Sequence, residues 1–285
     1  MVRNKQVIYV CIAILFFCIS KTVNAKSIHV GNNYTFKKIN EAIQVAEKDD
    51  TIFVHKGLYK EGNILINKKL FLIGIDKPIL DGQKKFEIVS IKADSVFFDG
   101  FVVQHSSYST LEDPCAIKVY NSRNVTISNN QLEDNFFGIY IQYGKHCIVK
   151  NNKIKAYGVE EQQIGNGIHC WKSDSLQIIG NYVSGHRDGI YFEFVTNSVI
   201  WRNISTKNIR YGLHFMFSNH DAYITNLFRE NGAGVAVMFT KEVSMINNTF
   251  EDNWGDAAYG ILLKEISDSY IFGNHFIRNT SALYL

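Results

Sequence analysis

An all-β fold is predicted, a parallel β-helix (solenoid) of stacked coils with a short helix capping its N-terminal end, and three observations predict it. Gly followed by an aliphatic residue recurs at Gly138-Ile139, Gly167-Ile168, Gly189-Ile190, Gly212-Leu213, Gly234-Val235 and Gly260-Ile261. Ala116-Ile117 before them and Ala282-Leu283 after them give spacings of 22, 29, 22, 23, 22, 26 and 22. Asn recurs at Asn130, Asn152, Asn181, Asn203, Asn226, Asn248 and Asn274, with spacings of 22, 29, 22, 23, 22 and 26. Two independent markers thus share one period and the same two insertions, the signature of a repeat architecture. The third observation is compositional. Only 2 of 285 residues are Pro, and 20 Asn fall between Ala116 and the end, where Pro is ordinarily about 5%.

Residues 1–25 read as an address rather than a fold. Arg3 and Lys5 form a basic start, Val7 to Ile19 is an apolar run, and Val23-Asn24-Ala25 is a small-residue cleavage site, the plan of a secretory signal peptide. The competing reading is an uncleaved anchor, but a membrane span needs about 20 apolar residues. The mature chain is therefore expected to be exported and soluble. Arg3, Lys5 and Lys21 are lost with the signal, which leaves 27 bases against 27 acids and assigns the formal +3 to the address. That balance excludes the charge footprint of a nucleic-acid binder. A hydrophobic content of 46% excludes a disordered chain.

Residues 26–83 differ from the repeat. Between Thr35 and Ala46 the apolar residues stand at 36, 39, 42, 43 and 46, which is helical spacing. Thr51-Ile52-Phe53-Val54 then begins the strands. A β-helix must cover its open hydrophobic end, so this segment is read as a cap helix and the first coils. From 84 to 285 each unit holds short alternating strands such as Val125-Thr126-Ile127, then Asn, then polar residues before the next Gly. Successive coils should pair about 4.8 Å apart. The Asn excess is then turn chemistry: Asn tolerates left-handed backbone, and its amide hydrogen-bonds the next Asn in a stack. Pro is scarce because it cannot donate to a ladder. The Asn-x-Ser/Thr sequons at Asn124, Asn203 and Asn247 are read the same way.

Side chains alternate along a strand. With Ile139 and Ile141 inward, one outer column reads Tyr140, His169, Tyr191, His214, Ala236, Leu262, Tyr284, and its neighbour Gln142, Trp171, Glu193, Met216, Met238, Lys264. The inner column includes Cys170, Phe192, Phe215, Val237 and Leu263, and Met245 falls in another inner column with Ile127, Val149, Ile178 and Ile200. A solvated face would carry Lys, Glu, Ser and Thr. An exposed apolar stripe marks a partner surface, here Tyr140, His169, Trp171, Tyr191, Glu193, His214, Met216 and Met238. Imidazole and thioether together favour soft copper, which makes His214, Met216 and Met238 metal candidates. The competing reading is ordinary packing under a loop or partner. His186, His220 and His275 lie in or near turns and are read as surface residues.

Cys115, Cys147 and Cys170 remain in the mature chain, an odd number without C-x-x-C spacing, so neither a zinc site nor a disulfide framework is indicated. Glycoside hydrolysis needs two spaced carboxylates, and lyases use several to hold Ca²⁺. The outer columns offer Glu193 with Asp188 nearby; Glu251, Asp252 and Asp256 lie about three coils away. No catalytic residues are assigned, and a polysaccharide-binding or -cleaving β-helix is the alternative function.

Three phrases, Lys56-Gly57-Leu58-Tyr59, Leu72-Ile73-Gly74 and Ile79-Leu80-Asp81-Gly82, resemble the first coils of the pectate-lyase-like superfamily, which implies a right-handed helix. Five longer stretches are more specific: Gly165 to Ser175, Ser184 to Val195, Arg210 to Ser218, Gly232 to Phe239 and Asn253 to Glu265. Together they closely resemble the NosD family of periplasmic maturation proteins of nitrous oxide reductase. The resemblance covers essentially the mature chain. It implies a non-enzymatic component that associates with an ABC-type ATPase and permease and helps assemble the copper–sulfur centre of nitrous oxide reductase. It also implies docking of that reductase or of a copper chaperone, with copper bound transiently if at all, and it fixes no metal ligands. Family members look longer than a chain that stops in mid-coil at Leu285, so further coils and a cap are expected beyond it.

Overall fold

A computed structural model describes residues 25–109, 112–255 and 258–285. The signal-peptide reading falls almost wholly on residues 1–24, outside the described residues. The chain winds a right-handed solenoid of three parallel sheets, with eleven strands in the first and ten in each of the others. One coil shows the plan. Thr126–Ser128 lies in the first sheet, Gln131–Glu133 in the second and Phe137–Gln142 in the third. Each strand pairs with its counterpart one coil on, and the pairing runs unbroken from Phe71–Gly74 through Phe97–Asp99 to Thr126–Ser128. Among the described residues no helix is long and apolar enough to cross a membrane.

The N-terminal helix spans Ile39–Val45 and buries Ile39, Ala42 and Ile43, the face that the apolar spacing marks. Its ends are satisfied from elsewhere. Glu61 accepts the Ile39 and Asn40 N–H groups at 2.7 and 3.0 Å. Lys68 Nζ donates to the carbonyls of Ile43 and Ala46 at 2.7 and 2.6 Å. A carboxylate on the free N–H groups and an ammonium on the free carbonyls each oppose the end of the helix dipole that they touch.

The core is one continuous column of apolar side chains from Val30 to Leu263. Inner positions read Ile127, Val149, Ile178, Ile200, Tyr223, Met245 along the first sheet, all buried. Full burial of such side chains is worth about 1.5–3 kcal/mol each. Both sequence markers acquire a cause. A Cβ on Gly138, Gly167, Gly189, Gly212, Gly234 or Gly260 would stand 2.7 Å or less from the carbonyl oxygen one coil on, so only Gly lets the coils close there. The Asn column is a buried amide ladder. The main-chain N–H and Nδ2 of Asn181 both donate to Asn203 Oδ1, at 2.8 and 3.0 Å, and the pattern repeats from Asn130 to Asn274.

One expectation is corrected here. The ladder asparagines do not occupy the left-handed region. The residue before each does: Asn129, Asn151, Gly180, Arg202, Thr225, Asn247 and Gly273. The ladder positions are Asn because one side chain serves as acceptor and donor between buried backbones.

Candidate functional site

The outer face of the third sheet holds both predicted columns in the predicted register. Tyr140, His169, Tyr191, His214, Ala236, Leu262 and Tyr284 pair in sequence, as do Gln142, Trp171, Glu193, Met216, Met238 and Lys264. Their exposure differs from expectation. Tyr140, His169, His214 and Ala236 are buried; Trp171, Tyr191, Glu193, Met216 and Met238 are half-buried. Packing of rings and of the segment before Ile168 against the first column is the reason. Glu161, Gln162, Ile164 and Gly165 line the same pocket as His169 and Tyr191, and the Tyr108 hydroxyl ties an earlier insertion to that segment by donating to the Gln162 carbonyl at 3.0 Å.

Under this cover the rings form a file. Tyr140 and His169 stack at 4.4 Å, His169 and Tyr191 meet at 4.9 Å, and Tyr191 and His214 stack at 4.7 Å, with Tyr211 beside His214 at 4.9 Å. Phe137 extends the file and forms a small separate core with Cys115 and Tyr140. Burial, reinforced by the Arg187 guanidinium, pushes His169 down to about 3. Burial, aided by nearby carboxylates, raises the phenols of Tyr140 and Tyr191.

A polar pocket opens at the margin where the third-sheet strands begin. It is lined by Asp113, Glu161, His169, Arg187, Tyr191 and Glu193. Asp188, next to Arg187 in the chain, is fully buried, with Arg210 Nε and His214 Nδ1 each 3.5 Å from its carboxylate oxygens. A second groove continues along the same face over the earlier coils, past Glu87, Lys118, Tyr120 and Gln142. Glu87 accepts the Tyr120 hydroxyl at 2.9 Å, and the Lys118 ammonium lies 4.8 Å from the Tyr140 ring centre.

The structure brings Met216 and Met238 side by side as register partners. His214, two residues before Met216, is flanked by two tyrosines and faces Asp188. The Tyr191 hydroxyl lies 3.5 Å from Met216 Sδ. The trio thus offers adjacent thioethers, with the imidazole and one thioether already engaged by neighbours. Among the described residues no three His, Cys, Asp or Glu side chains are grouped to hold one metal ion.

Other assignments sort themselves by burial. Cys170 and Met245 are core residues, as expected, and all three cysteines are free and buried. His186 is not a surface residue: it is fully buried, and desolvation pushes it down to about 4. His220 stays half-exposed against Glu242. Glu251 and Asp252 are both held by Arg278, and Asp256 lies outside the described residues. Sequence reasoning missed Arg187, Arg210 and Glu161. Both arginines lie within quoted stretches, Arg187 in Ser184 to Val195 and Arg210 at the start of Arg210 to Ser218, but their facing depends on backbone bends that alternation does not encode.

Residues 154–285 match the sequence model of a family described as periplasmic copper-binding protein (NosD), and residues 85–165 match that of the right-handed beta helix region. The chain is a right-handed β-helix related to NosD. A protein of Stutzerimonas stutzeri named "Probable ABC transporter binding protein NosD" is 28% identical over 131 residues, 45% of this chain and 30% of that protein. The chain therefore spans under a third of the length of the curated relative it matches. Among solved structures, PfbA, a surface adhesin of Streptococcus pneumoniae, superposes with a TM-score of 0.65 at 13% identity, covering 84% of this chain and 79% of the adhesin. An alginate lyase from Paenibacillus sp. str. FPU-7 gives 0.64 at 12%, covering 90% and 99%. At such identities the likeness concerns the fold alone.

Proposed function

We propose that this chain is an exported, non-enzymatic assembly protein that works with an ABC-type ATPase and permease to build the copper–sulfur centre of nitrous oxide reductase. The observation that carries the reading is the position of the match to the copper-binding family. It spans residues 154–285, the coils that bear His169, Trp171, Tyr191, Glu193, His214, Met216 and Met238 on one outer face. The ABC-transporter association is supported by the name of the Stutzerimonas relative. A periplasmic location is supported by the family description and by the plan of residues 1–25. In this reading the outer face of the third sheet docks the apo-reductase or a copper chaperone. Copper is cargo, passed along the thioether side of the face. Removing the gene should leave reductase that is exported but lacks its catalytic copper centre; fully active reductase in that strain would refute the proposal.

A second reading has one observation of its own. The polar groove past Glu87, Lys118, Tyr120 and Gln142 offers the hydroxyl, amide and charged groups that could hydrogen-bond a polysaccharide. Uronic-acid polymers tested with the purified chain decide it. Turnover or binding that Glu87→Gln abolishes would favour the second reading over the first.

A further inference from the structure

The margin where the third-sheet strands end carries a different feature. The residue after each outer-column position turns the chain through the left-handed region, and the column reads Asn121, Tyr143, Lys172, Phe194, Phe217, Phe239, Glu265. Any side chain with a Cβ resists that backbone, because the Cβ crowds the following carbonyl. Apart from Gly, every other left-handed position is Asn, Asp, Lys, Arg, Glu, Gln, Ser, Thr or His. The only Phe and Tyr residues so placed are these four, and they are consecutive but for Lys172. Three are also substantially open to solvent: Tyr143 and Phe194 are 43% exposed and Phe217 is 39% exposed. Four of the seven turns in this column thus hold aromatic rings outside the chain's own core, where the other left-handed turns among the described residues hold Gly or polar side chains.

The geometry of the rings limits what they contact. Phe194 stacks on Phe217 at 5.1 Å and 10°, and Phe217 on Phe239 at 5.2 Å and 17°. Lys172 Nζ sits 5.9 Å from the Phe194 ring centre and 4.6 Å from that of Trp171, and Lys264 Nζ sits 5.3 Å from that of Phe239. The stacked faces are thus taken up by other rings, with an ammonium group closing each end. A sugar needs a free ring face to stack upon. What remains outward is a ridge of ring edges, which carry the positive part of the quadrupole and favour carbonyl oxygens, thioethers and the faces of other aromatics. Trp171, Met216 and Met238, half-buried in the adjoining column, widen the ridge into an apolar strip. Lys172 and Lys264 bracket it four coil steps apart, about 19 Å; Glu193 and Glu265 are the acids beside it.

We propose that this aromatic ridge is a protein-docking strip. Its partner is a protein segment whose apolar side chains and carbonyl oxygens meet the ring edges, flanked by carboxylates about 19 Å apart that meet Lys172 and Lys264. The assignment rests on the docking role proposed above and adds the partner's chemistry to it. It also separates the strip that grips a protein from the polar pocket, with Glu193 between the two.

The test uses the purified mature chain and two probes: the copper-free nitrous oxide reductase of the same organism, and alginate oligosaccharides. The variant Phe194→Asn/Phe217→Asn/Phe239→Asn places at each turn a residue that the left-handed backbone prefers, so its melting temperature should hold or rise. The expected result is binding of the reductase by the wild type and a loss of about a hundredfold or more in the variant, as for aromatic anchors in other interfaces. Lys172→Glu/Lys264→Glu should weaken binding about tenfold or more, with a smaller salt dependence than the wild type. Wild-type affinity in the Phe variant would overturn the ridge while leaving the assembly role standing. No binding by the wild type would overturn both. Oligosaccharide binding that the Phe variant loses would also overturn the ridge, because it would make the rings a sugar platform.

Discussion

Replacing Asn203 by Ala in the middle of the amide ladder should destabilise the protein by several kcal/mol, and the structure fixes why. Asn203 Oδ1 is the acceptor for both the main-chain N–H and Nδ2 of Asn181, at 2.8 and 3.0 Å. Its Nδ2 donates to the Ile178 carbonyl at 2.8 Å and to Asn226 Oδ1 at 3.0 Å. Truncation deprives two buried donors of their acceptor in a site closed to water, and an orphaned buried group costs about 1–3 kcal/mol. The expected loss is therefore ~2–6 kcal/mol, before the small void is counted. The same replacement at Asn274 removes equivalent bonds, but the site is only partly buried, so water replaces the lost partner and the expected loss is about 1 kcal/mol. Urea unfolding of the two variants, followed by circular dichroism and compared at equal m-value, measures both. A loss below about 1 kcal/mol at Asn203, or equal losses at the two positions, would refute the view that the ladder satisfies buried backbone groups.

Three further outcomes follow from burial. Desolvation raises the Asp221 carboxyl to about 8, so the folded state keeps a proton that the unfolded chain releases near 4, and stability falls as pH rises between those values. Asp221→Asn keeps an acceptor for the Ser198 N–H and should gain on the wild type progressively from pH 4 to 8, as read by urea midpoints; a pH-independent difference would contradict this. His169 and His186 are pushed down to about 3 and about 4. The stability that they contribute is present above the unfolded histidine value near 6.5 and is lost as pH falls from there towards 4, at up to ~1.4 kcal/mol per pH unit for each. A His169→Gln/His186→Gln variant should show a flatter acid limb, and an unchanged limb would count against the assignment. Burial raises the thiols of Cys115, Cys147 and Cys170, that of Cys147 to about 11. A thiol reagent should therefore label none of them in the folded mature chain and all three in guanidinium; rapid labelling of the native protein would contradict their placement.

The sequence carried the architecture because each marker is a steric or hydrogen-bonding necessity repeated at every coil. Gly189 must lack a Cβ because the Gly212 carbonyl lies where it would be. Asn203 must be Asn because two backbones need one side chain that both accepts and donates. Alternation placed His214 and Met216 outward and Phe215 inward, correctly, since a strand admits no other choice. Exposure was not legible in the same way. Whether His169 meets water depends on a loop inserted from outside the repeat, and periodicity does not describe insertions. His186 looked like a turn residue and is one, yet the adjoining coils bury it. The aromatic ridge was the missed signal that the sequence did hold. Phe194, Phe217 and Phe239 are spaced 23 and 22 apart, the period of the other columns. Alternation says nothing of the left-handed turn that lifts them off the sheet.

The central claim is that the outer face of the third sheet serves assembly of the copper centre. The copper content of nitrous oxide reductase purified from a strain that carries His214→Gln/Met216→Leu/Met238→Leu in place of the native gene tests it most directly, with circular dichroism confirming that the variant is folded and exported. The account predicts reductase depleted in catalytic copper and low in activity. Reductase fully loaded with copper, made beside a folded variant chain, would contradict it.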